Sequence, residues 1–154
     1  MKTITRAKIY LPMAALILAA LAIPAAAQTQ VPFKGTFQGN DTVIPPTITT
    51  AATGIGTHVG QLSLTDVTTF TSGTGTGHWI AANGDSIDTT IAGSFEPTAT
   101  PDIFSFTEIH TITGGTGRFA GAQGSFTVER LASGVTFLTS GSFHGTITSP
   151  DAAH

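Results

Sequence analysis

The feature that most constrains this chain is an alternation of apolar and polar residues with a period of two, which recurs through residues 28–154. β-Branched and aromatic residues dominate the alternating stretches, and glycine clusters separate them. No stretch in this part repeats apolar residues at helical spacing, and Leu, Glu, Lys and Arg, which favour helices, are scarce. The pattern predicts an all-β domain.

Seven or eight strands are predicted, and their short connections favour antiparallel neighbours. The strands are expected at residues 32–40, 56–70, 75–82, 85–96, 102–113, 123–131 and 135–148, with a Pro- and Thr-rich loop after the first. In the last strand Val135, Phe137, Phe143 and Ile147 share one parity and are expected to face the core. Because closure removes sheet edges, a small closed antiparallel β-barrel is favoured, and a β-sandwich is the alternative.

Residues 1–27 have the organisation of a secretory signal peptide. Three basic residues open the chain, an uncharged apolar stretch covers residues 9–23, and three alanines end the segment. The apolar stretch is shorter than the roughly 20 residues of a transmembrane helix. We therefore predict cleavage after Ala27, a secreted or periplasmic location and a single barrel domain over residues 28–154. An uncleaved N-terminal anchor is the alternative.

The predicted mature chain is acidic and contains no cysteine. Lys34, Arg118 and Arg130 are its only Lys or Arg side chains, against nine Asp and Glu residues, so its formal net charge is −6. So few cations argue against nucleic acid and anionic membrane surfaces as partners, and no membrane insertion is expected after cleavage. Without cysteine, no disulfide supports the fold. The single tyrosine, Tyr10, lies in the predicted leader.

Glu108 and His110 are the candidate catalytic residues. They lie two positions apart on one predicted strand and therefore share a face with Phe104 and Phe106, which are candidate ligand-binding residues. A carboxylate and an imidazole in an aromatic lumen have shifted pKa values and can move protons. The alternative, which we favour, is a structural pair near the barrel rim or an outward face.

Trp79, the only tryptophan, is a further candidate for ligand binding because an indole can stack on a ring-shaped ligand. A position in the core is the favoured alternative for this side chain. Both interpretations require Trp79 to face the interior of the predicted barrel.

Four histidines, His58, His78, His110 and His144, lie on four different predicted strands. Imidazoles on facing strands can bind zinc or copper, but no pair has the close spacing of metal ligands, so no metal site is predicted. Residues 114–117 superficially resemble a phosphate-binding loop. Because no helix and no Lys-Ser/Thr pair follows them, a tight turn is favoured and no cofactor is predicted.

Residues 111–126 (TITGGTGRFAGAQGSF) resemble the signature turn of the allene oxide cyclase and dirigent barrels, I-x-G-G-[ST]-G-x-F-x-x-x-x-G. The matching positions are Ile112, Gly114, Gly115, Thr116, Gly117, Phe119 and Gly124. The order of predicted elements over residues 59–147 is also similar to that family. The resemblance implies an eight-stranded barrel with an apolar lumen, a small apolar or phenolic ligand, and often a homo-oligomer.

The catalytic chemistry of that family is not carried by the same residues. The plant cyclases use a Glu, a Tyr and an Asn-bound water in the lumen, and residues 28–154 contain no Tyr. Asn40, near the end of the first predicted strand, is the candidate for a polar lumen residue and completes the ligand-binding set.

Three functions are compatible with these features. Binding of a small hydrophobic molecule in the lumen ranks first, closely followed by a structural or interaction barrel that is filled by its own side chains. A cofactor-free isomerase or cyclase ranks third, because the mature chain lacks Tyr and Cys. Lumen volume is the observation that discriminates among the three.

Overall fold

A computed structural model describes residues 29–148, so the predicted signal peptide and its cleavage position lie outside the described residues. Eight strands form one sheet: β1 (Gln30–Ile44), β2 (Thr47–Gly56), β3 (Gly60–Thr69), β4 (Thr74–Ala81), β5 (Ser86–Pro97), β6 (Ile103–Gly115), β7 (Gly124–Ser133) and β8 (Leu138–Thr148). All neighbours are antiparallel, and β8 pairs with β1, so the sheet closes. The predicted closed antiparallel β-barrel is confirmed, with eight strands.

The only helix in residues 29–148 is a single 3-10 turn, Gly117–Phe119, between β6 and β7. No helix in the described part of the chain is long and apolar enough to span a bilayer.

The strand prediction is wrong around β2. Residues 47–55, which the sequence predicts as a loop, belong to this strand, and the predicted strand at 56–70 begins only at Gly60. The inward positions of β2 include Thr50 and Ala52, so its buried face carries little of the apolar signal on which the prediction depended. His58 and Gly60 adopt φ values of 65°, which reverses the chain between β2 and β3.

The predicted start of the last strand is also wrong. Val135 and Phe137 belong to the turn between β7 and β8 and are 66% and 43% exposed, whereas Phe143 and Ile147 are buried as predicted. Phe137 has a φ of 59°, and its amide donates a hydrogen bond to the Ser133 carbonyl oxygen. This left-handed residue ends the turn, so the alternation of β8 does not extend back to Val135.

Inward-facing side chains fill the barrel in three successive layers along its axis. The aromatic layer, towards the end where β1 begins, contains Phe33, Phe37, Trp79, Phe126 and Phe143. The polar layer contains Asp41, Asp66, Glu108, His110 and Arg130. The third layer contains Ile48, Phe106 and Ala132, with Phe70 and Phe104 packed against them. The ionisable groups are thus enclosed between two apolar layers.

Candidate functional site

The polar layer is the candidate site because its five ionisable side chains are only 0 to 8% exposed. Strand register builds part of it as a row across five strands, in which Asp41, Thr50, Asp66, Gly77 and Thr89 are successive cross-strand partners. Gly77 leaves the space that the row needs, since an added Cβ would overlap the Asp66 carboxyl group and lie 2.6 Å from Thr89 Oγ1.

Arg130 on β7 joins two carboxylates inside the barrel. Its Nε donates to Glu108 Oε2 at 3.0 Å, and its Nη1 donates to Asp41 Oδ2 at 2.9 Å and to Thr139 Oγ1 at 3.1 Å. The guanidinium carbon lies 3.9 Å from the centroid of the Phe106 ring, in cation–π geometry. Burial lowers the pKa of Arg130, but the Glu108 and Asp41 carboxylates outweigh this effect and raise it above its ordinary value.

Asp66 on β3 has no such cation. Its Oδ1 accepts a hydrogen bond from Trp79 Nε1 at 2.9 Å, and its Oδ2 lies 3.9 Å from His110 Nε2. Burial raises the pKa of Asp66 to about 7; the Trp79 hydrogen bond opposes the shift, Glu108 and Asp41 add to it, and the Arg130 charge opposes it. The carboxyl group therefore titrates near neutral pH.

His110 is fully buried and stacks on the Phe126 ring, with 4.8 Å between the ring centroids. Its Nδ1 lies 3.0 Å from Thr89 Oγ1, and its Nε2 has no hydrogen-bond partner. Burial, and secondarily the Arg130 charge, lowers the pKa of His110 to about 3. The imidazole is therefore neutral at physiological pH, and its 3.9 Å contact with Asp66 is not an ion pair.

Glu108 and His110 share a face as predicted, but that face is the buried interior, so the favoured expectation of a pair near the rim or an outward face is wrong. Each has its own partners: Glu108 binds Arg130, whereas His110 contacts Thr89 and faces Asp66. Their catalytic role stays a prediction.

The candidate ligand-binding residues occupy different places. Trp79 and Phe106 are buried in the aromatic layer and the third layer, and Phe104 is half-buried at the barrel end. The placement of Asn40 in the lumen is wrong, because this side chain is exposed on the outer wall. Phe33 and Phe37 put the odd-numbered positions of β1 inside, so the polar lumen residue is Asp41.

Aromatic side chains occupy the space that a lumen ligand would need. The Trp79 ring lies 4.9 Å from Phe126 and 5.0 Å from Phe143 between centroids, and Phe33 lies 4.9 Å from Phe143. These four side chains are at most 2% exposed, so almost none of their surface is accessible to water. A cleft of about 20 Å³ beside Phe95 and Glu108 has room for no more than one water molecule.

The four histidines considered as metal ligands do not lie together in the structure. His58 lies in the β2–β3 turn, His144 is exposed on β8, and exposed His78 pairs through Nδ1 with Asp88 Oδ1 at 2.6 Å. Residues 29–148 contain no group of three or more His, Cys, Asp or Glu side chains that could hold a metal ion.

The chain matches no protein-family model, no curated protein and no solved structure. The closed eight-stranded barrel is the architecture that the resemblance to allene oxide cyclase and dirigent proteins implies. Because unrelated families share this architecture, it does not identify the superfamily, and membership stays a prediction.

Sequence reasoning missed Arg130, Asp66 and Asp41 as parts of the site. A signal was present, because each continues the buried parity of its strand: Arg130 lies between Val128 and Ala132, and Asp66 follows Leu64. A charged residue at an inward position of an alternating strand requires a partner inside. The identity of that partner depends on other strands.

Glu108→Gln is expected to lower the free energy of unfolding by about 1 to 3 kcal/mol, because Arg130 then keeps a single carboxylate in a buried site. Glu129→Gln is the matched control, since Glu129 is the exposed neighbour of Arg130 on β7 and is expected to change stability by less than about 0.5 kcal/mol. Urea unfolding of both variants measures the difference. Equal stabilities would show that the Glu108–Arg130 pair contributes nothing.

Proposed function

We propose that this protein is a secreted or periplasmic barrel with a self-filled interior, which works as an interaction module through an apolar surface at one end. The observation that carries the proposal is the location of its exposed apolar side chains. Six of the eleven large exposed ones in residues 29–148 lie at the end where β1 finishes. With the half-buried Phe70 and Phe104, they form what we call the apolar rim: Val43, Ile44, Phe70, Phe95, Phe104, Val135, Phe137 and Leu138.

The turns that carry the apolar rim are in contact with one another. The Phe70 amide donates to the Pro46 carbonyl oxygen at 2.9 Å, which joins the β3–β4 turn to the β1–β2 turn. Phe95 lies 6.1 Å from both Phe70 and Phe104 between ring centroids.

The β7–β8 turn completes this surface. The Gly134 amide donates to the Asp102 carbonyl oxygen at 2.7 Å, and the Asp41 amide donates to the Phe137 carbonyl oxygen at 2.8 Å. The turns and strand ends that carry the rim are therefore joined to one another at this end of the barrel. Exposed apolar surface of this kind marks interaction sites on soluble proteins.

The opposite end of the barrel exposes fewer large apolar side chains: Ile55 and Ile80, next to the last residues of β2 and β4, are 61% and 38% exposed. Phe119, in the β6–β7 connection, is fully buried there, and the Arg118 side chain donates to the His58 carbonyl oxygen across the turn. The β4–β5 turn at this end exposes Asn83 and Gly84. Large exposed apolar side chains are therefore more numerous at the apolar rim than at the opposite end.

Phe137 adds an independent argument. A non-glycine residue at a φ of 59° is strained, and folding alone favours Gly or Asn at such a position. The chain instead places an exposed aromatic ring there. Contact with a partner accounts for a side chain that neither fills the core nor suits its backbone.

The charges near the rim define the partner. Glu96 and Asp102 are exposed at this end, and Lys34 and Arg118 lie towards the other end. Arg130 is buried, so no Lys or Arg of residues 29–148 is exposed at the rim. The fitting partner is a protein with an apolar patch flanked by neutral or basic residues, because an acidic surface would be repelled.

Phe137→Asn is expected to leave stability unchanged or raise it by about 0.5 to 1 kcal/mol, because Asn tolerates the left-handed conformation. The same variant is expected to lose partner binding. Ile109→Thr, which removes an equally exposed apolar side chain from the outer wall, is expected to keep it. Thermal unfolding and crosslinking measure the two effects separately, and a loss of stability in Phe137→Asn would contradict the strain argument.

Site-specific crosslinking in the protein's own host tests the partner. The photoreactive residue benzoylphenylalanine replaces Phe137 in one variant and Ile109 in another. A single heterologous protein crosslinked from position 137 and not from 109, and lost when Val135→Thr is added, is the expected result. No crosslink, a crosslinked dimer of this chain, or flotation of the purified protein with phosphatidylcholine vesicles would overturn the proposal.

Binding of a small apolar ligand in the lumen stays a prediction of the sequence. It would require the rings around Trp79 to separate, because they are buried and packed against one another. Native mass spectrometry of protein purified from its own host tests this alternative. A stoichiometric small molecule retained by the barrel would overturn the self-filled interior.

A further inference from the structure

The polar layer contains three carboxyl groups and one guanidinium group. Arg130 is already shared by Asp41 and Glu108, so Asp66 lacks a cation of its own. The groups that face Asp66 come from every side of the barrel: Asp41 on β1, Trp79 on β4, Glu108 and His110 on β6, and Arg130 on β7. Its remaining cross-strand partners, Thr50 and Gly77, carry no charge.

His110 has a buried ring nitrogen, Nε2, that lacks a hydrogen-bond partner. This nitrogen faces Asp66 Oδ2. When His110 carries its hydrogen on Nδ1 and donates it to Thr89, Nε2 offers only a lone pair. A carboxylate would set a second acceptor against that lone pair. A carboxylic acid would instead face that lone pair with a donor, across a separation of 3.9 Å that is too long for a hydrogen bond.

We propose that Asp66 and His110 form a one-proton switch in the barrel core: the pair holds a single proton on the Asp66 carboxyl group in mildly acidic conditions and releases it near neutrality. Release leaves a buried carboxylate that accepts the Trp79 Nε1 hydrogen bond. That bond then becomes charge-assisted and stronger. Trp79 contacts the other rings of the aromatic layer, so the state of the proton is transmitted to the centre of the barrel. The switch is independent of the apolar rim.

Proton linkage gives the switch an unusual property. Burial raises the pKa of Asp66 from 3.8 to about 7 and lowers that of His110 from 6.5 to about 3. Between about pH 4 and 6.5, the unfolded chain carries one proton on His110, and the folded chain carries one on Asp66. The two states bind equal numbers of protons at these groups, so the pair adds no pH dependence to stability in this range.

Single substitutions of Asp66 and His110 separate the contributions of the two groups to the pH dependence of stability. In Asp66→Asn only His110 remains, and because its folded pKa is lowered, stability is lost as the pH falls from about 6.5 towards 3. In His110→Gln only Asp66 remains, and because its folded pKa is raised, stability is lost as the pH rises from about 4 to 7. The slopes of the two variants relative to the wild type are therefore expected to have opposite signs.

Tryptophan fluorescence reports the protonation state of Asp66 through Trp79, because the full chain contains no other tryptophan. The wild-type protein is expected to show one transition in emission with a midpoint at about pH 7. Asp66→Asn, whose amide mimics the protonated acid, is expected to abolish the transition. His78→Gln is the matched control: His78 is adjacent to Trp79 and ionisable but lies on the outer wall, so this variant is expected to keep the transition.

A flat wild-type titration, a transition that persists in Asp66→Asn, or one that disappears in His78→Gln would overturn the proposal. Should Asp66→Asn fail to fold, infrared spectroscopy of the wild type decides. A carboxylic-acid carbonyl band at about pH 6 that disappears by about pH 8 is expected, and its absence at the lower pH would also overturn the proposal.

Discussion

Replacing Arg130 with methionine is expected to lower the free energy of unfolding by about 3 to 5 kcal/mol, because the variant leaves two buried carboxylates without their cation. Asp41 and Glu108 both depend on this guanidinium group, which also covers the Phe106 ring. Methionine keeps the uncharged aliphatic part of the side chain but is shorter than arginine, so part of the loss reflects the space that the guanidinium group filled. Urea unfolding at neutral pH measures this loss of stability.

Lys34→Met is the matched control for Arg130→Met. It removes the same charge from β1, where Lys34 is exposed and the described structure records no ion pair for its side chain, and it is expected to change stability by less than about 0.5 kcal/mol. Equal stabilities of the two variants would show that the polar layer does not depend on its guanidinium group.

Gly117→Ala is expected to have the next largest effect, about 3 kcal/mol or more, through two separate costs. Gly117 has a φ of 55°, where an alanine is strained, and an added Cβ would overlap the Asp85 carboxyl group. That carboxyl group accepts hydrogen bonds from the Arg118 amide at 3.2 Å and from Asn83 Nδ2 at 2.7 Å. The substitution therefore disturbs the contact between the β6–β7 connection and the β4–β5 turn.

Gly121→Ala separates the two costs. Gly121 has a φ of 71°, but nothing lies within 4 Å of the Cβ that alanine would add. Only backbone strain remains, which is expected to cost about 1 to 2 kcal/mol. Thermal unfolding of both variants gives the difference, and an equal loss in the two would refute the overlap with Asp85.

The functional proposals concern different parts of the same barrel. The apolar rim is built from turns and strand ends, whereas the Asp66–His110 pair lies in the core beside Trp79. Phe137→Asn tests the first without touching the core, and Asp66→Asn tests the second without touching the rim. A partner that binds equally well to the Asp66→Asn variant would show that the two features work independently.

The sequence could indicate which residues of β6 share the candidate site, but it could not indicate which side chains of other strands complete that site. Parity along β6 was enough to place Phe106, Glu108 and His110 on one face, because successive side chains of a strand alternate between its faces, but not to decide that this face points inward. The partners came from elsewhere: the Arg130–Asp41 hydrogen bond joins residues 89 positions apart, and Asp66 faces His110 from the other side of the lumen. No local pattern specifies such a contact, since it follows from how the closed sheet staggers its strands.

The sequence by itself determined that this chain forms strands and which side of most strands faces inward, because a period of two follows from local backbone geometry and from the burial of one face. The same local reasoning failed where the inward residues of β2 were Thr and Ala and where Phe137 ended a turn with a left-handed backbone. Only the tertiary structure decided what fills the barrel, which two carboxyl groups share the buried guanidinium group of Arg130, and which end exposes most of the apolar side chains. Those outcomes depend on register and closure across all eight strands, which place side chains together that are distant in the chain.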